Sequence, residues 1–205
     1  MTSSIAASWA QITTVLQNQA PVTARCLRPP ASSTELAGAE AVLGFSLPEQ
    51  LHEWLLLADG LEVRPEAGRL LPPMFVPVGF RRMVQLWKLK MDIGNDGKPE
   101  GTPQAGMPQR GFSERFVPLG DDTTGDLLVV DMRPGNQQGC VLHWSMVDGV
   151  CGPAYWPDVA QMWRDVAEAL QTGETEDVFS DDDPHLTSNG CSAVFTSSGM
   201  LDWRF

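Results

Sequence analysis

The sequence predicts a single domain of the α+β class, in which helices pack on a largely antiparallel sheet. Apolar residues recur at helical spacing near the start of the chain and again within residues 157–173. Between these regions, three apolar segments follow one another and are separated by short connections rich in turn-forming residues, as in an antiparallel sheet. The chain has 205 residues, of which 42% are hydrophobic, and this is enough for one large core.

The first predicted helix lies in the segment SWAQITTVLQNQ. Its apolar side chains fall on one helical face, at Trp9, Ile12, Val15 and Leu16. Pro21 ends the helix, and the segment RPPASS that follows shortly afterwards is a linker. We therefore assign residues 1–29 to an N-terminal helix and a linker.

Two short helices are predicted next. In the first, Ser32 and Glu35 form a capping-box pattern and Gly44 stands where a C-cap glycine would. Its buried side is expected to consist of Leu36, Val42 and Leu43.

The second of these helices lies within LGFSLPEQLHEWLLLADGL, residues 43–61, with Ser46 as its cap and Pro48 in its first turn. Asp59 and Gly60 are expected to end it. One broad apolar face contains Leu47, Leu51, Trp54, Leu55 and Ala58. A glycine-led corner joins the two helices into an αα-hairpin.

The middle of the chain combines a short strand, a helix and a long loop. FVPV, residues 75–78, favours a strand. From Phe80 the spacing predicts a helix with an apolar side (Met83, Val84, Trp87, Met91) and basic residues on the outside (Arg81, Arg82, Lys88, Lys90). The glycine- and proline-rich segment 93–114 is typical of a mobile lid, a binding loop or an insertion.

The predicted sheet is formed mainly by FVPLGDD, GDLLVVDM and GCVLHWSM, with PGNQQG as a hairpin loop between the last two. Pro157 then opens a helix, which Gly173 stops. The apolar face of this helix contains Val159, Met162, Trp163, Val166 and Leu170. Residues 30–172 are thus the expected core domain, and residues 173–205 are an acidic tail with a terminal hairpin in CSAVFTSSGMLDWRF.

The net charge of −12 favours a basic protein as partner and disfavours nucleic acid, whose phosphates the surface would repel. A general role in solubility explains the acidity equally well. The sequence has no run of about 18 apolar residues, so no membrane span is expected. Its N-terminus lacks the basic start and continuous apolar stretch of a signal peptide, and its four cysteines are dispersed without a C-x-x-C pair. These features predict a cytoplasmic protein with reduced thiols.

The acidic residues Asp121, Asp122, Asp126 and Asp131 suggest a metal site, but their spacing does not fit a calcium loop, which needs glycine at its sixth position and glutamate at its twelfth. Asp121 and Asp122 are better interpreted as turn caps beside Gly125, or else as an acidic rim for a basic partner. Cys140 and His143 point to opposite faces of a strand, so they do not form a zinc site. We predict no metal and no cofactor.

Catalytic motifs for a nucleophilic serine or a bound nucleotide are missing from the sequence. A hydrolase that uses Asp126 or Asp131 with His143 is the alternative from the enzyme class. Among the tryptophans, Trp54, Trp87 and Trp163 have core spacing, whereas Trp156 and Trp203 are expected to be partly exposed and could anchor an interface.

Two blocks of the sequence resemble the SUKH superfamily, which includes the fungal cell-wall-synthesis regulators and many bacterial immunity proteins. In the first block, Glu40 precedes LG, then SLP, then a helix that ends in DG; in the second, FVPLGDDTTGDLLVVDMRP is followed by GCVLHW. The resemblance covers roughly residues 30–172. The loop at 93–114 is longer than the pattern of the superfamily leads us to expect.

The resemblance implies a non-catalytic protein-binding module. Bacterial members often neutralise toxins, commonly nucleases, and fungal members act as scaffolds in cell-wall signalling. We therefore expect an immunity protein with a basic toxin as partner, and a regulatory scaffold as the alternative. The candidate partner-binding residues are Asp121, Asp122, Asp126 and Trp156.

Overall fold

The computed structural model describes residues 5–64, 67–93, 103–175 and 190–204. Its helices are α1 (Ile5–Gln19), α2 (Pro21–Arg25), α3 (Ser33–Leu43), α4 (Glu49–Leu55), α5 (Phe80–Asp92) and α6 (Val159–Gln171). Its strands are β1 (Val76–Pro77), β2 (Phe116–Asp121), β3 (Leu127–Asp131), β4 (Val141–Trp144), β5 (Glu174–Thr175), β6 (Ser192–Phe195) and β7 (Leu201–Arg204). The predicted α+β class, with a mainly antiparallel sheet, is confirmed.

The larger sheet has the strand order β1-β2-β3-β4, and each neighbouring pair is antiparallel. Every residue of β2 and β3 is buried, so these two strands are covered on both faces. This is why their sequences are nearly continuous apolar runs and do not alternate between apolar and polar residues. The segment before α6 runs along the outer edge of β4, where Val141 and Trp156 form a bridge.

A smaller sheet is formed by the C-terminal part of the chain and packs against its N-terminal part. In it β5 pairs parallel with β6, and β6 pairs antiparallel with β7 as the predicted terminal hairpin. The backbone N–H of Leu201 donates to the Thr23 hydroxyl at 2.9 Å, and the indole N–H of Trp203 donates to the carbonyl of Arg69 at 2.9 Å. The hairpin is therefore packed against α2, and Trp203 is buried where partial exposure was expected. The acidic residues predicted at 176–189 lie outside the described residues.

Three tryptophans from α1, α4 and α6 meet in the core. The rings of Trp54 and Trp163 have centroids 4.8 Å apart, and Trp9 packs edge-on against both, at 5.8 and 5.2 Å. Trp54 and Trp163 are fully buried, and within the described part of the chain their indole N–H groups have no hydrogen-bond acceptor. The cluster is held together by aromatic packing, and the predicted core positions of Trp54 and Trp163 are confirmed.

The helix ends depend on capping groups, some of which differ from the prediction. The capping box of Ser32 and Glu35 is present, and Gly44 ends α3 in the left-handed conformation with φ 80°. By contrast, α4 begins after Pro48 with no side-chain cap, so the predicted capping by Ser46 is wrong. The Glu40 carboxylate accepts the backbone N–H of Leu47 at 2.8 Å, and this contact holds the corner between the helices.

Two further details of this region also differ from the prediction. Val42 is 41% exposed although it was expected on the buried side of α3. The helix α4 ends at Leu55, and Asp59 and Gly60 lie beyond it. There Asp59 accepts the backbone N–H of Phe80 at 2.7 Å. Because Gly60 has φ 75° and lies against the backbone of residues 77–79, only glycine fits at this contact.

We predict that Trp54→Ala lowers the free energy of unfolding by about 3–5 kcal/mol, because it removes a fully buried ring from the tryptophan cluster. Trp54→Phe is the matched control. It keeps an aromatic ring and removes an unpaired buried donor, so its loss should be much smaller. Urea denaturation of the three proteins measures both differences, and equal losses for the two variants would contradict the packing role.

Candidate functional site

The turn between β2 and β3, residues 121–126, is organised by the Asp122 carboxylate. Its Oδ1 atom accepts the backbone N–H groups of Thr124, Gly125 and Asp126 at 2.8 to 3.0 Å. Its Oδ2 atom accepts the Thr124 hydroxyl. The backbone is left-handed at Thr123, with φ 72°, and Gly125 has φ 125°. The interpretation of Asp122 as a turn cap is thus confirmed.

These contacts also determine the charge state of Asp122. Burial alone would raise its pKa, but the hydrogen bonds from the Thr124 hydroxyl and from the three backbone N–H groups outweigh it, so the pKa is lowered. A carboxylate held in this way stays ionised at neutral pH. The negative charge accepts hydrogen bonds from within the turn, and the residue is only 6% exposed to solvent.

Asp121 is buried in a different set of contacts. Its Oδ1 atom accepts the backbone N–H of Thr123 at 2.9 Å, and its Oδ2 atom accepts Nη2 of Arg82 at 2.8 Å. The side chain of Asp121 is 3% exposed, whereas that of Arg82 is 44% exposed. The expectation that Asp121 and Asp122 form an exposed acidic rim is therefore wrong, since both carboxylates face inward to satisfy backbone and arginine donors.

Lys90, in the last turn of α5, contacts the turn at residues 121–126 from the interior of the protein. It was predicted on the outside of the helix, but it is 7% exposed. Its Nζ atom donates to the carbonyl of Gly125 at 2.8 Å and lies 4.6 Å from the centroid of the Trp144 ring. Burial lowers the pKa of Lys90, and the neighbouring carboxylates, that of Asp121 first among them, oppose this effect. A helix can therefore bury a lysine when a carbonyl oxygen and an aromatic ring contact the ammonium group.

Asp126 connects this turn to the next one along the chain. Its Oδ2 atom lies 3.0 Å from Nε2 of His143, and its Oδ1 atom accepts the backbone N–H of Met146 at 2.9 Å. The imidazole contacts the rings of Phe75 and Tyr155, whose centroids are 5.8 and 6.0 Å from its own. Of the two acid–histidine pairs considered from the sequence, the structure brings together the one with Asp126. Within the described residues, His143 has no hydrogen bond to a serine, threonine or cysteine side chain.

The turn after β4, residues 145–149, exposes two large apolar side chains. Met146 is 56% exposed and Val147 is 83% exposed. The turn is closed by paired backbone hydrogen bonds of 2.9 Å between Ser145 and Gly149. The sequence interpretation missed this feature. The segment MVDG does carry a signal, because turn positions usually hold polar residues or glycine, whereas here Met and Val precede Asp-Gly.

The two turns form one surface, which we call the paired turns (residues 121–126 and 145–149). Gly125 lies so close to Met146 that a Cβ atom at residue 125 would meet its sulfur at 2.9 Å. Asp126 ties both turns together through His143 and Met146. Asp148, beside Val147, is exposed, and the Asp126 side chain is 29% exposed. The surface therefore combines protruding apolar side chains with acidic neighbours on a fixed backbone.

The end of the long loop predicted at 93–114 packs beside the paired turns. Its residues 94–102 lie outside the described residues. Backbone hydrogen bonds of 3.0 and 2.8 Å pair Gln109 with Val150, directly after the second turn. The Arg133 guanidinium donates to the Gln109 side-chain oxygen at 2.7 Å and to the Met107 carbonyl at 2.9 Å. This part of the loop is a packed support for the surface.

Trp156 does not lie on this surface or on any other. It is 1% exposed, and its indole N–H donates to the Asp165 carboxylate at 3.1 Å. The expected partial exposure of Trp156 is wrong. The physical reason is the backbone pairing with Val141, which aligns residues 155–156 along β4 and turns the indole into the core.

The remaining chemical features are the metal-ligating side chains, the thiols and the apolar helices. The described residues contain no group of three or more histidine, cysteine, aspartate or glutamate side chains that could hold a metal ion. No disulfide links the four cysteines, all of which lie in the described ranges, and burial raises the pKa of Cys140 to about 11. No helix in the described ranges has the length and apolar character needed to cross a membrane.

Comparison with known proteins gives one family. The model of the SMI1 / KNR4 family (SUKH-1) matches residues 30–171. The match confirms the resemblance to the SUKH superfamily, and it includes the whole of the paired turns. A search of curated proteins found no match.

We predict that Asp122→Asn lowers the free energy of unfolding by about 1–2 kcal/mol at neutral pH, because charge-assisted hydrogen bonds become neutral ones. Since the pKa of Asp122 is lowered in the folded state, its contribution is complete above the ordinary aspartate pKa of about 3.9 and is lost as the pH falls through the lowered value. The stability difference between the wild-type protein and the variant should shrink in that acidic range.

Asp148→Asn is the control for this prediction, because Asp148 is an exposed acid in the neighbouring turn. Its stability should match that of the wild-type protein at neutral pH. Urea denaturation at several pH values gives all three curves. A difference for Asp122→Asn that does not change with pH would rule out the charged cap.

Proposed function

The chain belongs to the SMI1/KNR4 family (SUKH-1), and from this premise we propose that it is a non-catalytic binding module that neutralises a protein toxin, as an immunity protein. The observation that carries the proposal is the exposure of Met146 and Val147 on the paired turns. We further propose the cytoplasm as its compartment, because a nuclease-like toxin meets its substrate there.

The apolar side chains are suited to contact because they are exposed and held in place. Removal of a methionine or valine side chain from water contributes about 1.5–3 kcal/mol. A backbone that is already ordered loses little conformational entropy on binding. Asp126 and Gly125 hold the turn that carries Met146 and Val147. These two residues would therefore form the apolar centre of the interface.

The charge of the chain favours a basic partner. The net charge is −12, and Asp126 and Asp148 place carboxylates beside the apolar centre. A nuclease-like toxin needs a basic surface to hold the phosphates of its substrate. An acidic protein that covers this surface would compete with the substrate. This role replaces the one first expected for Asp121 and Asp122, which we now propose to support the surface from within.

A regulatory scaffold related to cell-wall assembly is the second proposal, because the same family contains such regulators. The paired turns would then dock a signalling partner, and the same side chains would make the contact. The two functions differ in what the partner does to a cell. They can therefore be separated by a growth assay.

We predict that co-expression of the chain protects a host from the toxin encoded by a neighbouring gene, and that Val147→Asp abolishes protection, because it places a charge at the apolar centre. Val42→Asp is the matched control, since Val42 is an exposed valine on α3. Growth curves and the folded state of each variant are measured together. If Val147→Asp still protects the host, the interface does not include Val147. If the product of the neighbouring gene binds the chain but does not harm the host, the scaffold function is favoured.

Association with a basic partner should also slow as salt rises. Long-range attraction raises the association rate, and its range falls with the Debye length, which is about 10 Å at 0.1 M salt. The expected result is an on-rate that drops between 50 and 500 mM salt with little change in the off-rate, read by surface plasmon resonance with the purified partner. An on-rate that is independent of salt would contradict charge-driven capture.

A further inference from the structure

A cavity of about 250 Å³ opens at the first turn of α5, at the opposite end of this helix from Lys90. Arg28, Arg81 and Arg82 line it. The whole sequence contains 14 lysines and arginines and has a net charge of −12. Asp59 and Glu62 also line the cavity, so three arginines face two carboxylates there, in a chain whose net charge is negative.

Two of the arginines are fixed from behind by buried carboxylates. The Nε atom of Arg28 donates to Asp59 at 3.2 Å, and Nη2 of Arg82 donates to Asp121 at 2.8 Å. Asp59 and Asp121 side chains are only 5% and 3% exposed, whereas those of Arg28 and Arg82 are 43% and 44% exposed. Asp59 thus lies in the cavity lining with little exposed surface and Asp121 lies behind Arg82, whereas the side chains of Arg28 and Arg82 are partly exposed at the cavity.

These guanidinium groups keep donors for a further acceptor. Each bonds its carboxylate through Nε and Nη2. In the described part of the chain, the Nη1 atoms of Arg28 and Arg82 have no hydrogen-bond acceptor. Asp59 and Asp121 also share their charge with the backbone N–H groups of Phe80 and Thr123. The arginines are therefore positioned by their partners without being saturated by them.

The third arginine is held more loosely. The Arg81 side chain is 71% exposed, and its pair with Glu35 is a surface contact of 3.3 Å. Such exposed pairs contribute little and exchange readily with other acceptors. Glu62, an acid at the cavity, pairs with Arg64 at 3.1 Å. Arg81 can thus turn to a ligand in the cavity.

We propose that this arginine cavity binds the oxyanion group of a small ligand, a phosphate or a carboxylate. Planar guanidinium groups match the geometry of both groups and bind them through charge-assisted hydrogen bonds. Val63, which is 43% exposed, adds an apolar wall for the remainder of a small organic acid. The volume suits a small molecule, and the acidity of the whole chain opposes a nucleic acid strand.

The test is a titration followed by backbone amide shifts in ¹H–¹⁵N spectra, at constant ionic strength. The probes are inorganic phosphate, N-acetylleucine as a carboxylate with an apolar side chain, and N-acetylleucinamide as its uncharged analogue. We expect saturable shifts at Val63, Gly79 and Arg81 with at least one of the two anions. Arg81→Gln should weaken this binding roughly tenfold.

Arg110→Gln is the matched control, because Arg110 is an exposed arginine away from the cavity lining. It should bind as the wild-type protein does. Saturation by phosphate alone assigns the site to phosphate groups, saturation by N-acetylleucine alone assigns it to carboxylates, and both results support the proposal.

Three outcomes would overturn the proposal. They are the lack of saturable shifts with either anion up to about 10 mM, equal binding of N-acetylleucinamide, and equal loss of affinity in Arg81→Gln and Arg110→Gln. Arg28→Lys provides a second variant, because it keeps a cation for Asp59 but removes the planar donor group. It should weaken the binding while the spectrum remains that of a folded protein.

Discussion

The buried ion pair between Asp131 and Arg133 is the interaction on which the loops around the sheet depend. Their side chains are 0% and 3% exposed, so either charge alone would be strongly destabilising. The guanidinium is satisfied by Asp131, by the Gln109 side chain and by the Met107 carbonyl, and Asp131 also accepts the backbone N–H of Gly106. Residues 106–109 must therefore close against the end of β3. This closure positions Gln109 to pair with Val150, beside the exposed turn.

Three other buried carboxylates also hold loops in place by accepting hydrogen bonds. Asp59, Asp121 and Asp122 are each buried near the end of a helix or strand, and each accepts backbone N–H groups that the regular element leaves unpaired. Their burial moves the surface chemistry to their neighbours. Asp59 and Asp121 hold Arg28 and Arg82 at the arginine cavity. The turn organised by Asp122 packs against the turn that exposes Val147. These three carboxylates mainly hold backbone and arginine groups in place, and their neighbours form most of the exposed surface.

Local patterns in the sequence predicted the elements well, because periodicity, caps and turn residues are properties of neighbouring positions. The capping box at Ser32, the antiparallel sheet and the closing helix are examples. The errors concern burial. The burial of Asp121 was missed because its partner, Arg82, is 39 residues away in the sequence. The burial of Trp156 was missed because its pairing with Val141 is a tertiary contact that no local pattern reveals. Lys90 shows the same limit: helix spacing placed it outside, and only the fold brings the Gly125 carbonyl to it.

In the paired turns, buried residues fix the backbone and exposed residues are available for contact, and this separation bears on which partner can bind. The side chains that hold the paired turns, among them Asp122 and Lys90, are buried, whereas Met146 and Val147 project into solvent. Substitution of the exposed pair changes the shape and polarity offered to a partner, and it leaves the hydrogen bonds that fix the backbone in place, since those use the Met146 N–H and not its side chain. Surface substitutions of this kind usually change stability by less than about 0.5 kcal/mol. If the paired turns bind a partner as we propose, substitutions at these two positions change which partner is bound while the scaffold stays folded.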